Sequence, residues 1–373
     1  MNQTTLRNDE KTIFALRELY RKYGYSQYKM SKFEEYELYV RNKDFLISDN
    51  IITFTDTNGK LLALKPDVTL SIIKNSQDTP GVVQKVYYNE NVYRVSAGTH
   101  AFNEIMQVGL ECIGDIDAYC LYEVLCLAAQ SLRCIRENGV LDISHLGILD
   151  GLLERFGVES HDRKEIWCCV GEKNRHELAA FCKQIGLSEE KTAVLQQLTA
   201  LSGRPDMVLA QLRQMPAVME SPEPVEELAQ LCDALQAGGY GDMIEIDFSV
   251  VSDSRYYNGV VFKGFVEGAA DSVLSGGQYD RLMRRMGRRS GAIGFAVYMD
   301  RLQRLLQDDR GYDVDTVLLY DDMASVSTLQ TAVADLAAQG RTVMAQRQRP
   351  EKIAYRCLAR LCGNEVQILE ENA

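Results

Sequence analysis

VYRVSAGTHAFNEIMQVGLECIG, residues 92–114, is the stretch whose reading decides the fold. It sets an aromatic and an arginine, Tyr93 and Arg94, at the end of a strand-like run. A variable loop intervenes, and a second strand then carries Gln107 and Glu111. An arginine, an amide and a carboxylate together suit a small zwitterion with a basic side chain, because the guanidinium fork matches a carboxylate. Glu111 lies between apolar neighbours, where a carboxylate is either paired or functional, since unpaired burial is expensive. The loop itself reads Val95, Ser96, Ala97, Gly98, Thr99 and carries no charge. An enzyme that handles phosphate would place its positive charges there. The stretch keeps the binding half of an active site and lacks the reacting half.

Outward from it, 373 residues suffice for two or three domains. Apolar residues at 46% and charged residues at 25% are ordinary for a globular protein. The N-terminus, MNQTTLRNDEK, has no apolar h-region, and no run of about 18 uncharged apolar residues occurs. A cytoplasmic protein without membrane association is expected. The ten cysteines are scattered without a C-x-x-C pair, and reduced thiols packed as small apolar residues are expected. A net charge of −12 argues against extended nucleic-acid contact, which depends on neutralising phosphates. The four histidines lack i, i+4 spacing and stand beside no cysteine cluster, so neither a metal nor a cofactor is expected.

Apolar spacing predicts an amphipathic helix over 9–23, stopped by Gly24. An extended segment running into a short helix follows over 25–39, then a hairpin around 55–59. A helix begins just after Pro66, strands cover 82–94 and 104–113, and a strong helix runs from 118 to 138. From 146 to 239 helical patterns run with hardly a strand signal, broken by SPEP at 221–224. Strand signals return at 244–251, 260–265 and 272–274. Beyond 308 a small unit reads strand 316–320, helix 325–338, strand 342–345, helix 352–361 and strand 365–369. The expected class is α+β: an antiparallel sheet flanked by helices, a helical insert, and a small C-terminal α/β unit. The expected boundaries are 1–145 with 240–307 for the sheet domain, 146–239 for the insert, and 308–373 for the small unit.

Several constellations carry chemistry, each beside a plainer reading. In LKPDVT, 64–69, Asp67 reads alone as a helix N-cap, with Thr69 in the first turn. Arg94 suits a carboxylate or phosphate, or else a surface ion pair. Tyr256 and Tyr257 precede a polar turn, and strand alternation would send them to opposite faces. Gly276 and Gly277 let a strand approach a ligand closely, or mark a bulge. TVLLYDDM, 316–323, ends in two acids, but no phosphate-cradling loop accompanies it, so turn capping is expected. The arginines of the tail read as a solvated basic face.

Taken in order, these pieces resemble the core of class II aminoacyl-tRNA synthetases, specifically the histidyl enzyme, over residues 9–307. Residues 23–35 look like the first motif, which builds the dimer interface, and LKPDVT is similar to L-R-P-E-G-T. VYR with IMQVGLECIG looks like the second motif, and VSDSRYYNG is similar to the histidine-specific V-R-G-L-D-Y-Y-N. GGQYD and GFAVYMDRL look like G-G-R-Y-D and the third motif. Six matches in order are specific where single ones are not.

The departures follow a pattern. Ser96 stands where the second motif has a glutamate, Ser252 where the histidine motif has its arginine, and Tyr298 where the third motif has a small glycine. Ser31 replaces the proline of the first motif and Asp67 the glutamate of P-E-G-T, whereas Arg301 of the third motif survives. Losing one charge at a reacting phosphorus commonly costs roughly 2–4 kcal/mol, so several losses together end adenylation. The resemblance implies that Asp67, Thr69 and Gln107 hold the α-amino end of histidine, Arg94 its carboxylate, and Glu111 with Tyr257 its ring. Tyr256, Gly276 and Gly277 complete that implied set. A core with a histidine pocket, no adenylation chemistry and a shortened anticodon-binding-like unit resembles the regulatory-subunit family of ATP phosphoribosyltransferase. That resemblance implies no catalysis by this chain itself, and no tRNA. It implies a short-form catalytic subunit as partner, self-dimerisation, histidine as effector, and a role in the first step of histidine biosynthesis. Two other readings stay open on sequence: a divergent active synthetase, and a histidine sensor serving another partner.

Overall fold

The structure is a computed structural model that describes residues 6–43, 51–95, 101–250, 256–306 and 311–372. The chain divides into two compact units, Met1–Gln307 and Asp308–Ala373.

In the larger unit, α1 (Asn8–Lys22) carries Asp9 and Glu10 in its first turn and Arg21 and Lys22 in its last, complementing the helix dipole. It stops at Gly24, whose φ of 82° suits only glycine. The chain then forms β1 (Ser26–Gln27), β2 (Phe33–Glu35), α2 (Tyr36–Arg41), β3 (Thr53–Thr55), β4 (Leu61–Leu64) and α3 (Thr69–Asn75). The stretch that opened the sequence becomes a long antiparallel hairpin of β5 (Val83–Val95) and β6 (Phe102–Gly114), paired from Val83↔Gly114 to Val95↔Phe102. Next come α4 (Ala118–Ile135), β7 (Gly139–His145), and helices α5 (Leu146–Arg155) through α11 (Glu223–Ala237), interrupted only by the two-residue β8 (Ser202–Gly203). The unit continues with β9 (Ile244–Asp247), β10 (Val260–Val266), β11 (Leu274–Gln278), α12 (Asp280–Arg285) and β12 (Gly291–Tyr298).

Strands β2, β4 and β3 form a separate antiparallel sheet in that order, and a nine-stranded sheet organises the unit, in the order β1-β5-β6-β12-β11-β10-β7-β9-β8. Its centre, from β5 to β7, is antiparallel throughout. Side chains alternate across it. Tyr87, Leu110, Cys112, Phe295 and Phe262 point to one face, where α1, α4 and the helices after β7 bury them in one cluster. Val86, Tyr88, Val92, Ile113 and Ala292 point to the other, under Val68, Leu70 and Ile72. The helix α4 is long and apolar enough to span a membrane by length and composition. Here it is a core helix: Leu125, Ala128 and Leu132 are fully buried, and Glu123 meets Lys85 at 2.6 Å.

The strand β7 escaped the sequence reading, which passed from Gly139 directly to helix. Its sequence GVLDISH alternates buried and half-buried over Gly139–Ile143, but Asp142 and Ser144 break the apolar run.

The smaller unit holds β13 (Val314–Leu319), α13 (Val326–Ala338), β14 (Val343–Gln346), β15 (Tyr355–Cys362) and β16 (Glu365–Glu371), with sheet order β14-β13-β15-β16. The helix expected over 352–361 is instead the strand β15. Arg356 and Arg360 look like one helical face at i, i+4, but they also fit a period of two. In the structure both are exposed, while Cys357, Ala359 and Leu361 are buried against Leu318 and Leu336. Placement between two strands overrode the local helical pattern. Asp321 Oδ1 accepts the Met323 N–H at 3.0 Å, so that acid caps a turn as expected.

Phe262 is fully buried and packs edge to face against Phe295 at 6.1 Å between centroids. Phe262→Ala is expected to cost the larger unit about 3–5 kcal/mol in urea unfolding. A cost under 1 kcal/mol would show that this face is not the core.

Candidate functional site

The site lies on the sheet face opposite α1 and α4, and register puts its parts in rows. Val86, Glu111, Gly294 and Gly277 are successive cross-strand partners on β5, β6, β12 and β11. The neighbouring rows are Tyr88, Gly109, Ala296 and Ser275, then Glu90, Gln107 and Tyr298. The floor is therefore glycine and alanine, and the functional side chains stand over it.

Glu111 is 2% exposed. Its Oε1 accepts from Thr69 Oγ1 at 2.8 Å, and its Oε2 from the Tyr279 hydroxyl at 2.6 Å. A Cβ on Gly294 would sit 1.8 Å from Glu111 Oε2, so only glycine leaves the carboxyl its place. Burial pushes Glu111 up to about 8, against the pull of the two hydroxyls, and nearby Asp67 adds to the rise. Gln107, also buried, lies two rows of alternation away on the same face.

Asp67 and Arg94 form the other end. The 65–67 segment is tied to β5 three ways: Lys65 Nζ to Glu90 at 2.5 Å, the Tyr93 N–H to the Lys65 carbonyl at 2.9 Å, and Arg94 Nε to the Pro66 carbonyl at 3.2 Å. Asp67 Oδ1 accepts the Leu70 N–H at 2.9 Å, so the capping reading holds. Burial raises the Asp67 carboxyl, while that N–H and the Arg94 charge pull it back. The same residue thus caps α3 and faces Arg94.

Tyr256 and Tyr257 do not diverge as strand alternation implied. They sit in a turn ahead of β10, with ring centroids 4.7 Å apart, and both feel the charges of Asp67 and Glu111. Gly277 faces this side, where a Cβ would strike the Tyr257 ring at 2.7 Å. Gly276 faces away: its missing Cβ makes room for Phe295 and Phe262 on the helix-covered face.

Sequence reasoning missed Tyr279 and Gly294. Tyr279 follows the last residue of β11 inside the GGQYD motif, a position that period-two alternation does not assign. The signal for Gly294 was its place in GAIGF, directly opposite Glu111 once β6 and β12 are in register.

Where the third motif keeps an arginine, that charge is already engaged. Arg301 lies over the Tyr298 ring at 4.5 Å, donates to the Ser272 carbonyl at 2.5 Å and meets Asp271 at 3.3 Å. The Tyr298 hydroxyl is pinned to Ser275 Oγ at 2.8 Å. The loop at 96–99 and Ser252, where further charge is absent from the sequence, lie outside the described residues.

The family model for histidyl-tRNA synthetase matches residues 2–302. The chain belongs to the histidyl-tRNA synthetase family. Within that family it is 27% identical over 292 residues to the ATP phosphoribosyltransferase regulatory subunit of Alkaliphilus metalliredigens, covering 76% of this chain and 73% of the relative. An ATP phosphoribosyltransferase regulatory subunit/histidyl-tRNA synthetase from Bacillus halodurans shares the fold at a TM-score of 0.78 and 24% identity, over 95% and 93% of the two chains. A chain of the ATP phosphoribosyl transferase (HisG:HisZ) complex from Thermotoga maritima does so at 0.62 and 19%, over 78% and 97%. The α+β synthetase-like architecture expected from the motifs is therefore the fold of this family.

Crowding by Gly294→Ala is expected to destabilise the unit by about 1–3 kcal/mol. The added Cβ would meet the Glu111 carboxyl and also, at 2.4 Å, the Leu110 carbonyl. The double variant Gly294→Ala/Glu111→Ala is therefore expected to recover the carboxyl part of the loss and keep the backbone part, losing less than the two single losses added. Additive losses would mean that the carboxyl is not seated over Gly294.

Proposed function

We infer that this chain is a non-catalytic regulatory subunit of ATP phosphoribosyltransferase, acting in the first step of histidine biosynthesis. One observation carries the reading best: the charge inventory of the site. Groups suited to an amino acid are assembled, whereas the surviving motif arginine, Arg301, is engaged by Tyr298, Ser272 and Asp271. Adenylation needs preorganised positive charge around phosphorus, and one missing contact alone costs roughly 10²–10³ in rate. A pocket that binds without reacting fits a regulator. The names of its relatives, regulatory subunits of this transferase and a chain of a HisG:HisZ complex, point the same way.

Histidine is the proposed effector. Arg94 takes its carboxylate, and Asp67 with Thr69 and Gln107 takes the ammonium. Glu111 and Tyr257 take the two ring nitrogens, with Tyr256 and Gly277 shaping the ring slot. The protein partner is a short-form catalytic subunit, and the compartment is the cytoplasm. Self-association through the first-motif region is supported by Phe33 and Phe54, which pack edge to face at 5.6 Å yet remain 45% and 39% exposed. A role without tRNA is supported by the small unit, where Arg347 is paired to Asp322 and Arg349 to Glu370. Charges neutralised within the chain contribute little to phosphate binding.

Mixed with a short-form catalytic subunit, the chain is expected to raise phosphoribosyl transfer and to make it histidine-sensitive. No gain in turnover on mixing would overturn the reading. Arg94→Ala is expected to abolish inhibition by histidine while assembly, followed by size-exclusion chromatography, persists. Inhibition that survives would place the effector site elsewhere.

A further inference from the structure

Among the described residues no cation faces Glu111, and the consequence depends on the reading of this pocket as a histidine site. Among the described residues, the titratable groups facing it are Asp67 from the segment before α3, Tyr88 from β5, Tyr256 and Tyr257 from the turn before β10, and Tyr279 after β11. Thr69 adds a hydroxyl, and β12 presents only the bare backbone of Gly294. Arg94 acts on Asp67 and Tyr257, and Lys65 is taken by Glu90. Among the described residues the inventory is two carboxyls and one guanidinium. A bound amino acid adds an ammonium that Asp67 satisfies and a carboxylate that Arg94 satisfies. Glu111 is left as a buried carboxylate with hydroxyl donors alone, which desolvation disfavours unless a proton accompanies it.

We propose that Glu111 and the histidine ring share one proton in the complex, brought in by Glu111 near neutral pH, so that ligand affinity is set by the protonation of the empty pocket. No bond is made or broken apart from the transfer or sharing of that proton along an O···H···N contact.

The direction of the pH dependence follows. A free histidine ring loses its proton near about 6.5, whereas burial pushes Glu111 up to about 8. Between those values the ring is neutral and the pocket supplies the proton, so binding exchanges none with solvent. Above the Glu111 value the empty pocket has lost its proton and binding must take one up. Affinity then falls towards about tenfold per pH unit. Below the ring value both partners are protonated, one proton must leave, and affinity falls again.

Isothermal titration of the full chain with histidine tests this, at pH 7.5 and pH 8.8, each in two buffers of different ionisation heat. Expected are little proton uptake at the lower pH, uptake approaching one at the higher, and an affinity loss of about fivefold between them. Glu111→Gln keeps an amide donor but no titrating proton. It should show only the uptake and loss that belong to the histidine amine. Tyr279→Phe removes a hydroxyl that favours the ionised carboxyl, and should move the alkaline fall to higher pH. It decides the matter even if Glu111→Gln does not fold. Wild-type uptake no greater than that of Glu111→Gln, or an alkaline fall unmoved by Tyr279→Phe, overturns the proposal. Absence of binding heat at every pH overturns the histidine reading of the pocket instead.

Discussion

The carboxyl of Glu111, held by Thr69 and Tyr279 over the bare backbone of Gly294, is the constraint around which the larger unit is arranged. Burying it requires donors from α3 and from the end of β11, and so fixes both against β6. It also requires a glycine at its cross-strand neighbour on β12, and hence the register between those strands. The sheet meets that demand with Gly109, Gly277, Gly294 and Ala296 around the carboxyl, while apolar side chains pack on both faces of the same strands. Site and core are therefore two sides of the same strands, and neither can change register without moving the other.

The second end of the pocket is built differently. Asp67 lies on a segment and Arg94 on a strand that are tied by the Lys65–Glu90 pair, whose lysine is buried and whose glutamate is partly so, and by backbone contacts. Such a pair contributes little net stability but is costly to break singly, so it locks the segment's position. The proposed amino-acid pocket is thus supported from two directions. Beside it, Arg301 lies over the Tyr298 ring and is bonded to Ser272 and Asp271, so the arginine of the third motif is engaged within the chain. On the proposed reading, keeping the groups for an amino acid while engaging the motif arginine within the chain is what would make a synthetase fold a binding protein.

Much of this was legible in the sequence, and for identifiable reasons. The β5–β6 hairpin and α1 showed because their periodicity agrees with their environment, and Glu111 and Arg94 showed because charge at those places needs a partner. Tertiary context hid the rest. The pairing of Glu111 with Tyr279 joins residues 168 apart in sequence. The shared location of Tyr256 and Tyr257 depends on a turn that breaks alternation, and the direction of Gly276 depends on the register of β11. β15 was taken for a helix because Arg356 and Arg360 fit both periods, and only its neighbours β13 and β16 decide between them.

The proposal that the pocket binds histidine without activating it has a direct consequence for ATP. Exchange of labelled pyrophosphate into ATP, measured with histidine at saturating concentration, reports formation of the acyl-adenylate and nothing else. With histidine bound to the chain, exchange is expected to stay at the background without protein. Histidine-dependent exchange above that background would mean that Tyr298 and Arg301 release each other to admit ATP, and that the chain is a working synthetase.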